Sequence, residues 1–87
     1  MTPEELLSEL EATAQEMNIH LRYEKGDFEG GYCILRDDRV IVINKKLSPQ
    51  RKTSVIATAL GEIGIEEKYL KPAIREFIED ELAKIKK

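Results

Sequence analysis

The chain alternates between two hydrophobic periods, and the places where the period changes mark its elements. Leu6, Leu7, Leu10, Ala14 and Met17 recur at three- and four-residue spacing, which predicts a helix with one apolar stripe. Thr2, Pro3 and Glu5 supply a cap, a first-turn proline and the third-residue glutamate of a capping box, and Asn18 supplies a left-handed stop. From Ile19 the period drops to two: Ile19, Leu21 and Tyr23 alternate with His20, Arg22 and Glu24, as in a half-buried strand. Residues 25–31 hold glycines on both sides of Phe28, whose ring is expected to peg a loop to the core. Residues 32–36 and 40–44 read as strands joined by a tight turn at Asp37-Asp38. The run Val40-Ile41-Val42-Ile43 is unbroken, so both of its faces are expected to be covered.

Ser48-Pro49 repeats the cap-and-proline signal, and Val55, Ile56, Ala59, Leu60 and Ile63 form the core stripe of a second helix ending near Gly64. After a connector over 65–71, Pro72 opens a third helix with the stripe Ile74, Phe77, Ile78, Leu82 and Ile85. Lys84, Lys86 and Lys87 suit the negative end of its dipole. The order α-β-β-β-α-α predicts one α+β domain over residues 1–87, a three-stranded antiparallel sheet with helices on one face. No internal repeat or low-complexity linker interrupts it.

Composition narrows what such a domain can be. With 41% hydrophobic and 36% charged residues, the 87-residue chain can build a core, but a thin one. A shallow groove or flat face is therefore expected rather than a deep cavity. No apolar run approaches the roughly 20 residues needed to span a bilayer, and the N-terminus has no secretory pattern, so a cytoplasmic protein with no membrane contact is expected. Cys33 is the single cysteine and sits in an apolar strand with no basic neighbour in sequence, which reads as a buried, inert thiol.

Charge is uneven. The first helix carries Glu4, Glu5, Glu9, Glu11 and Glu16 without a base, whereas Arg36, Arg39, Lys45, Lys46, Arg51 and Lys52 make a positive island around the hairpin and the start of the second helix. That island reads either as a solubilising surface or as an anion site at a helix N-terminus. The net charge of -3 and the absence of a stacking platform among these bases argue against nucleic acid. The glycines of 25–31 precede a strand rather than a helix and stand beside Asp27 and Glu29, so no phosphate loop is expected. Ser8, Ser48 and Ser54 are explained by helix surface, cap and first turn. The pairs Glu62/Glu66 and Glu76/Glu79 read as solvated helix faces.

The stretch from Gly30-Gly31-Tyr32 to Asn44, then Leu47-Ser48-Pro49-Gln50-Arg51-Lys52 and Ile56-Ala57-Thr58-Ala59-Leu60-Gly61-Glu62, resembles the ImmA/IrrE family of zinc peptidases. In that family a hairpin ends in a strand with a terminal asparagine, and a short loop leads to a helix reading Leu-Ala-His-Glu-Leu-Gly-His. Ala57, Leu60 and Gly61 match. The zinc-binding histidines fall on Thr58 and Glu62, and the catalytic glutamate falls on Ala59. A later Ile74-Arg75-Glu76-Phe77-Ile78 is similar to the segment after the third ligand, which places that ligand at Ala73. The likeness covers about residues 26–82 and implies a zincin-like remnant.

Zinc needs converging His, Cys or carboxylate donors, and a zinc peptidase also needs a general base for the metal-bound water. Glu62 alone among these four positions offers a zinc donor of those kinds. The sequence therefore predicts a non-catalytic binding or adaptor domain on a degenerate metallopeptidase-like scaffold, with no cofactor, no metal and another protein as partner, as monomer or homodimer. The resemblance places Arg51, Ser54, Thr58 and Glu62 along a cleft beside the third strand, whose edge is expected to accept a peptide strand. Two alternatives stand beside it. One is a metal-dependent hydrolase with relocated ligands, His20, Cys33 and Glu62 converging; the other is an anion- or nucleic-acid-binding domain using the basic stretch 36–52.

Overall fold

Local signals fix the helix ends. In the computed structural model of the protein, which describes residues 2–64 and 70–85, α1 spans Pro3–Glu16. Its capping box is closed by Glu5 N–H donating to Thr2 Oγ1 at 3.1 Å and Thr2 N–H donating to Glu5 Oε1 at 3.3 Å. Asn18 takes the left-handed turn expected of it, at φ 60°. Helix α2 spans Pro49–Ile63, with Ser48 as its cap and Gly64 at its end, and α3 spans Pro72–Ile85 with Lys84 in its last turn. The connector residues 65–69, with Glu66, and the terminal Lys86 and Lys87 lie outside the described residues, as does the side chain of Ile85.

The strands are β1 (Ile19–Glu24), β2 (Gly30–Leu35) and β3 (Asp38–Asn44), so the chain has the predicted α-β-β-β-α-α order and α+β class. The sheet itself differs from the expectation of an antiparallel one. Its order is β1-β3-β2, with β3 antiparallel to β2 but parallel to β1. The reason is the loop 25–29. At roughly 3.3 Å per residue, five residues can step across two strand spacings of about 4.8 Å each. β2 therefore starts two positions away from β1, and the hairpin folds β3 back into the gap. That hairpin turns on Arg36-Asp37, one residue earlier than expected, with Arg36 at φ 59°.

Central placement suits the most apolar strand. Ile41 and Ile43 face the helices with Ile19, Leu21, Tyr23 and Tyr32, joining Leu10, Ala14, Ile56, Leu60, Ile74 and Ile78 in one core. The opposite face is not covered by any described helix. Val40 is nevertheless buried there, in the row His20–Val40–Cys33 formed by the three strands. Flanking strands thus supply the cover expected on this second face, and Cys33 is half-buried rather than buried. Helix α1 lies on β1, α2 on β3 and β2, and α3 packs chiefly on α2 and also on α1. The molecule has three layers, with α2 in the middle.

The loop that crosses the end of β3 is fastened by that strand's last residue. Asn44, nearly buried, donates from Nδ2 to Gly26 O at 2.9 Å and to Phe28 O at 2.7 Å, and its Oδ1 accepts from Lys46 N–H at 3.0 Å. Its backbone N–H donates to Glu29 O, and Lys45 N–H donates to Glu24 O. Phe28 is not the peg it was expected to be: its ring stays at the surface against Gly26, 39% exposed. A second tie joins layers. Tyr23 Oη donates to the Glu11 carboxylate of α1, and Lys52 Nζ of α2 stands 5.5 Å from the Tyr23 ring centre.

Two measurements check these ties. Asn44→Asp keeps size but cannot donate to two carbonyls, so it is expected to lower unfolding free energy by about 2 kcal/mol or more in urea titration. Partial burial, and then the Glu11 carboxylate, push the Tyr23 phenol above its ordinary value. The fold favours the protonated phenol, so this stabilisation is complete below the unfolded tyrosine value near 10 and declines as pH rises beyond it. Tyr23→Phe is expected to cost about 1 kcal/mol at neutral pH and to flatten the alkaline fall in stability.

Candidate functional site

A groove of about 450 Å³ runs between α2 and β2. On the helix side it is lined by Arg51, Ser54, Val55, Thr58, Ala59 and Glu62, and on the strand side by Glu29, Gly30, Gly31 and Tyr32. Residues 51, 54, 58 and 62 recur at three- and four-residue steps, so one helix face presents all of them. The stripe read from the sequence is therefore brought together. Its expected neighbour is corrected: β3 is the central strand and has no free edge, and the strand bordering the groove is β2.

Gly30 sets how closely strand and helix approach. It adopts φ 143°, and a Cβ there would stand 2.2 Å from Val42 O and 2.9 Å from Val55 Cγ1. No side chain fits both demands. Gly31 is different, since a Cβ on it would meet nothing within 4 Å. At one end of the groove the exposed side chains of Arg51 and Glu29 form an ion pair. Being solvated, it contributes at most about 1 kcal/mol, but it neutralises both charges locally.

The helix stripe is also held from below. Ser54 Oγ donates to Glu81 Oε1 of α3 at 3.2 Å, and Lys84 Nζ lies 3.4 Å from the same oxygen. Glu81 is only 8% exposed, a carboxylate set into the packing of α3 against α2. Sequence reading missed it. The signal was its position, three residues after Ile78 and seven after Ile74, inside the apolar stripe where an acid needs a partner.

The positions that the peptidase resemblance would give to a metal do not fit one. Thr58 and Glu62 lie on the groove wall one turn apart, Ala59 carries no proton acceptor, and Ala73 is exposed in the first turn of α3 and does not line the groove. Among the described residues no three His, Cys, Asp or Glu side chains are grouped so as to hold a metal ion. The relocated set fails on topology. His20 and Cys33 share the sheet face turned away from the helices, with Val40 between them, whereas Glu62 projects from α2 on the other side.

The basic island is divided as well. Arg36 and Arg39 lie at the hairpin, whereas Lys45, Lys46, Arg51 and Lys52 gather past the far end of β3, about 20 Å away at 3.3 Å per residue. Within the second group Arg51 is paired with Glu29, and Lys52 lies over Tyr23.

Compared with family models, curated proteins and solved structures, the chain matches none of them. No helix among the described residues is long and apolar enough to cross a membrane.

The two glycines of the wall give a paired test. Gly30→Ala combines a forced φ with a backbone clash and is expected to destabilise the protein by about 2 kcal/mol or more. Gly31→Ala is expected to change stability by less than about 0.5 kcal/mol. Thermal melting of both variants measures the contrast.

Proposed function

We propose that this domain is a non-catalytic binding module that takes an extended segment of another protein as an added strand on β2, within the groove beside α2. The observation that carries this reading is the free edge of β2. Asn44 N–H bonds Glu29 O, and the antiparallel ladder alternates from there, so Gly31, Cys33 and Leu35 face β3 while Gly30, Tyr32 and Ile34 turn their N–H and C=O groups outward. An edge with unpaired backbone groups is a template for another strand. The same strand exposes apolar side chains, Ile34 at 63% and Leu35 at 48%, which a partner would cover.

The groove's own side chains speak against catalysis through a metal. Hydrolysis through a metal would need three converging donors and a base, and the helix face presents Thr58, Ala59 and Glu62 in their place. The reading favours a protein over an anion because the bases of 36–52 do not share one surface, and because the groove's helix wall mixes Val55 and Ala59 with small hydroxyls. Its other terms, a cytoplasmic location and a monomeric or homodimeric state, follow the sequence expectations.

Two outcomes are expected. Purified protein contains no stoichiometric zinc, and EDTA leaves its melting temperature unchanged; a tightly held metal whose removal lowers that temperature refutes the non-catalytic reading. Tyr32→Pro removes an outward N–H without touching the ladder to β3. It is expected to cost some stability through loss of the Tyr32 ring, which packs on the core, and, unlike a Tyr32→Ala control that keeps the N–H, to abolish binding of groove-directed peptides, followed by amide shifts at residues 30, 31, 33 and 34.

A further inference from the structure

Within the groove reading, the balance of charge along its length points to a particular kind of segment. Its two ends are unlike. At the N-terminal end of α2, Arg51 and Glu29 cancel each other. At the C-terminal end stands Glu62, exposed on the wall, with no cation or hydrogen-bond donor against it among the described residues. The last turn of α2 contains no base, and that end carries the partial negative charge of the helix dipole. Glu81, the other carboxylate close to the wall, lies beneath it and is occupied by Ser54 and Lys84. Between the two ends the helix wall is neutral, with Ser54, Val55, Thr58 and Ala59.

The length of this gradient is defined. Eleven helical residues separate Arg51 from Glu62, or about 16 Å at 1.5 Å each. An extended segment covers that distance with about five residues. Glu29 pairs with Arg51 and Gly30 approaches Val55, so β2 begins at the neutral end and runs toward the Glu62 end. We infer that the groove selects extended segments of other proteins carrying a lysine or arginine at the position over Glu62, with small or apolar residues at the other positions facing α2. The contact is a cation held by one carboxylate at the rim, so it sets preference, while the β2 backbone supplies the common part of the binding.

The test is selection from a phage-displayed library of randomised nine-residue segments on the intact chain, followed by affinity measurement of the selected peptides by fluorescence anisotropy. Enrichment of lysine or arginine at one position is expected, with about five-fold weaker binding when that residue is replaced by norleucine. Glu62→Gln, on an exposed site, is expected to leave the melting temperature unchanged and to erase that five-fold difference. Glu62→Lys is expected to turn selection toward acidic residues at the same position. Selected peptides without a basic preference, or with one that Glu62→Gln does not alter, overturn this inference and leave the groove reading standing. Failure of any segment to be enriched on the unmutated chain overturns both, as does enrichment that Tyr32→Pro leaves intact.

Discussion

The arrangement depends on how one strand end is tied to the loop that crosses it. β3 can lie between β1 and β2 only if the loop 25–29 passes over its C-terminal end, which leaves carbonyls of that loop pointing at the strand terminus. Asn44 meets them. One amide group donates to Gly26 O and Phe28 O while its oxygen accepts from Lys46 N–H. An aspartate has no donor for the first two, and a hydrophobic residue would leave partly buried carbonyls unpaired. The same residue therefore closes the sheet, seats the loop before β2 and starts the turn into α2. Both walls of the groove are referred to it: Glu29 and Gly30 follow the loop it holds, and Ser48, the cap of α2, lies four residues on.

Given that anchor, α2 becomes the organiser of the layers. It contacts α1, α3, β2 and β3, and its three sides do different work. Ile56 and Leu60 are fully buried in the core, Gly61 receives Leu82 of α3, and the face with Arg51, Ser54, Thr58 and Glu62 remains as a groove wall. Gly61 could not be larger, since a Cβ would stand 2.5 Å from Leu82 Cδ1, and flexible Leu82 would have to move out of its packing. The wall is polar but braced, because Ser54 is bonded to Glu81 on the helix behind it. A helix supported on two sides and open on the third gives a binding surface whose backbone does not have to order itself on contact, which lowers the entropic cost of association.

The residues that determined local structure were legible in the sequence. Thr2-Pro3-Glu5, Ser48-Pro49 and Asn18 each act through neighbours a few positions away, and the structure places caps and stop where the sequence put them. The stripe on α2 was legible for the same reason, since helical periodicity alone puts its four residues on one face. Strand pairing was not. The alternation of Ile19, Leu21 and Tyr23 shows which side of β1 is buried but carries no information about its neighbour, and a loop of five residues permits either an adjacent or a skipped position. The tip of the hairpin was displaced by one residue because Arg36, not a usual left-handed residue, takes the positive φ. Long-range polar contacts such as Ser54–Glu81 and Tyr23–Glu11 join residues 27 and 12 positions apart. Nothing local announces them beyond an acid inside an apolar stripe.

Under the proposed reading, the groove's chemistry also sets how tightly it would hold a strand. Where a peptidase of the resembling type would spend metal coordination on the substrate carbonyl, this wall offers Thr58 and Ala59, so attraction has to come from β2 backbone hydrogen bonds, apolar contact at Val55 and the Glu62 carboxylate. Three outward residues give a few hydrogen bonds at about 1 kcal/mol net each, and a rim ion pair adds at most about as much again. Against this stands an association cost of at least about 4 kcal/mol. On these figures an isolated five-residue segment binds no more tightly than the millimolar range. Ile34 and Leu35 matter for that reason: they lie further along the same edge, and a partner that covers them while its strand fills the groove gains apolar area at about 25 cal/mol per Å² without a second ordering cost. Under the proposed reading, specificity would then lie with the groove, and most of the affinity with the apolar tip beside it.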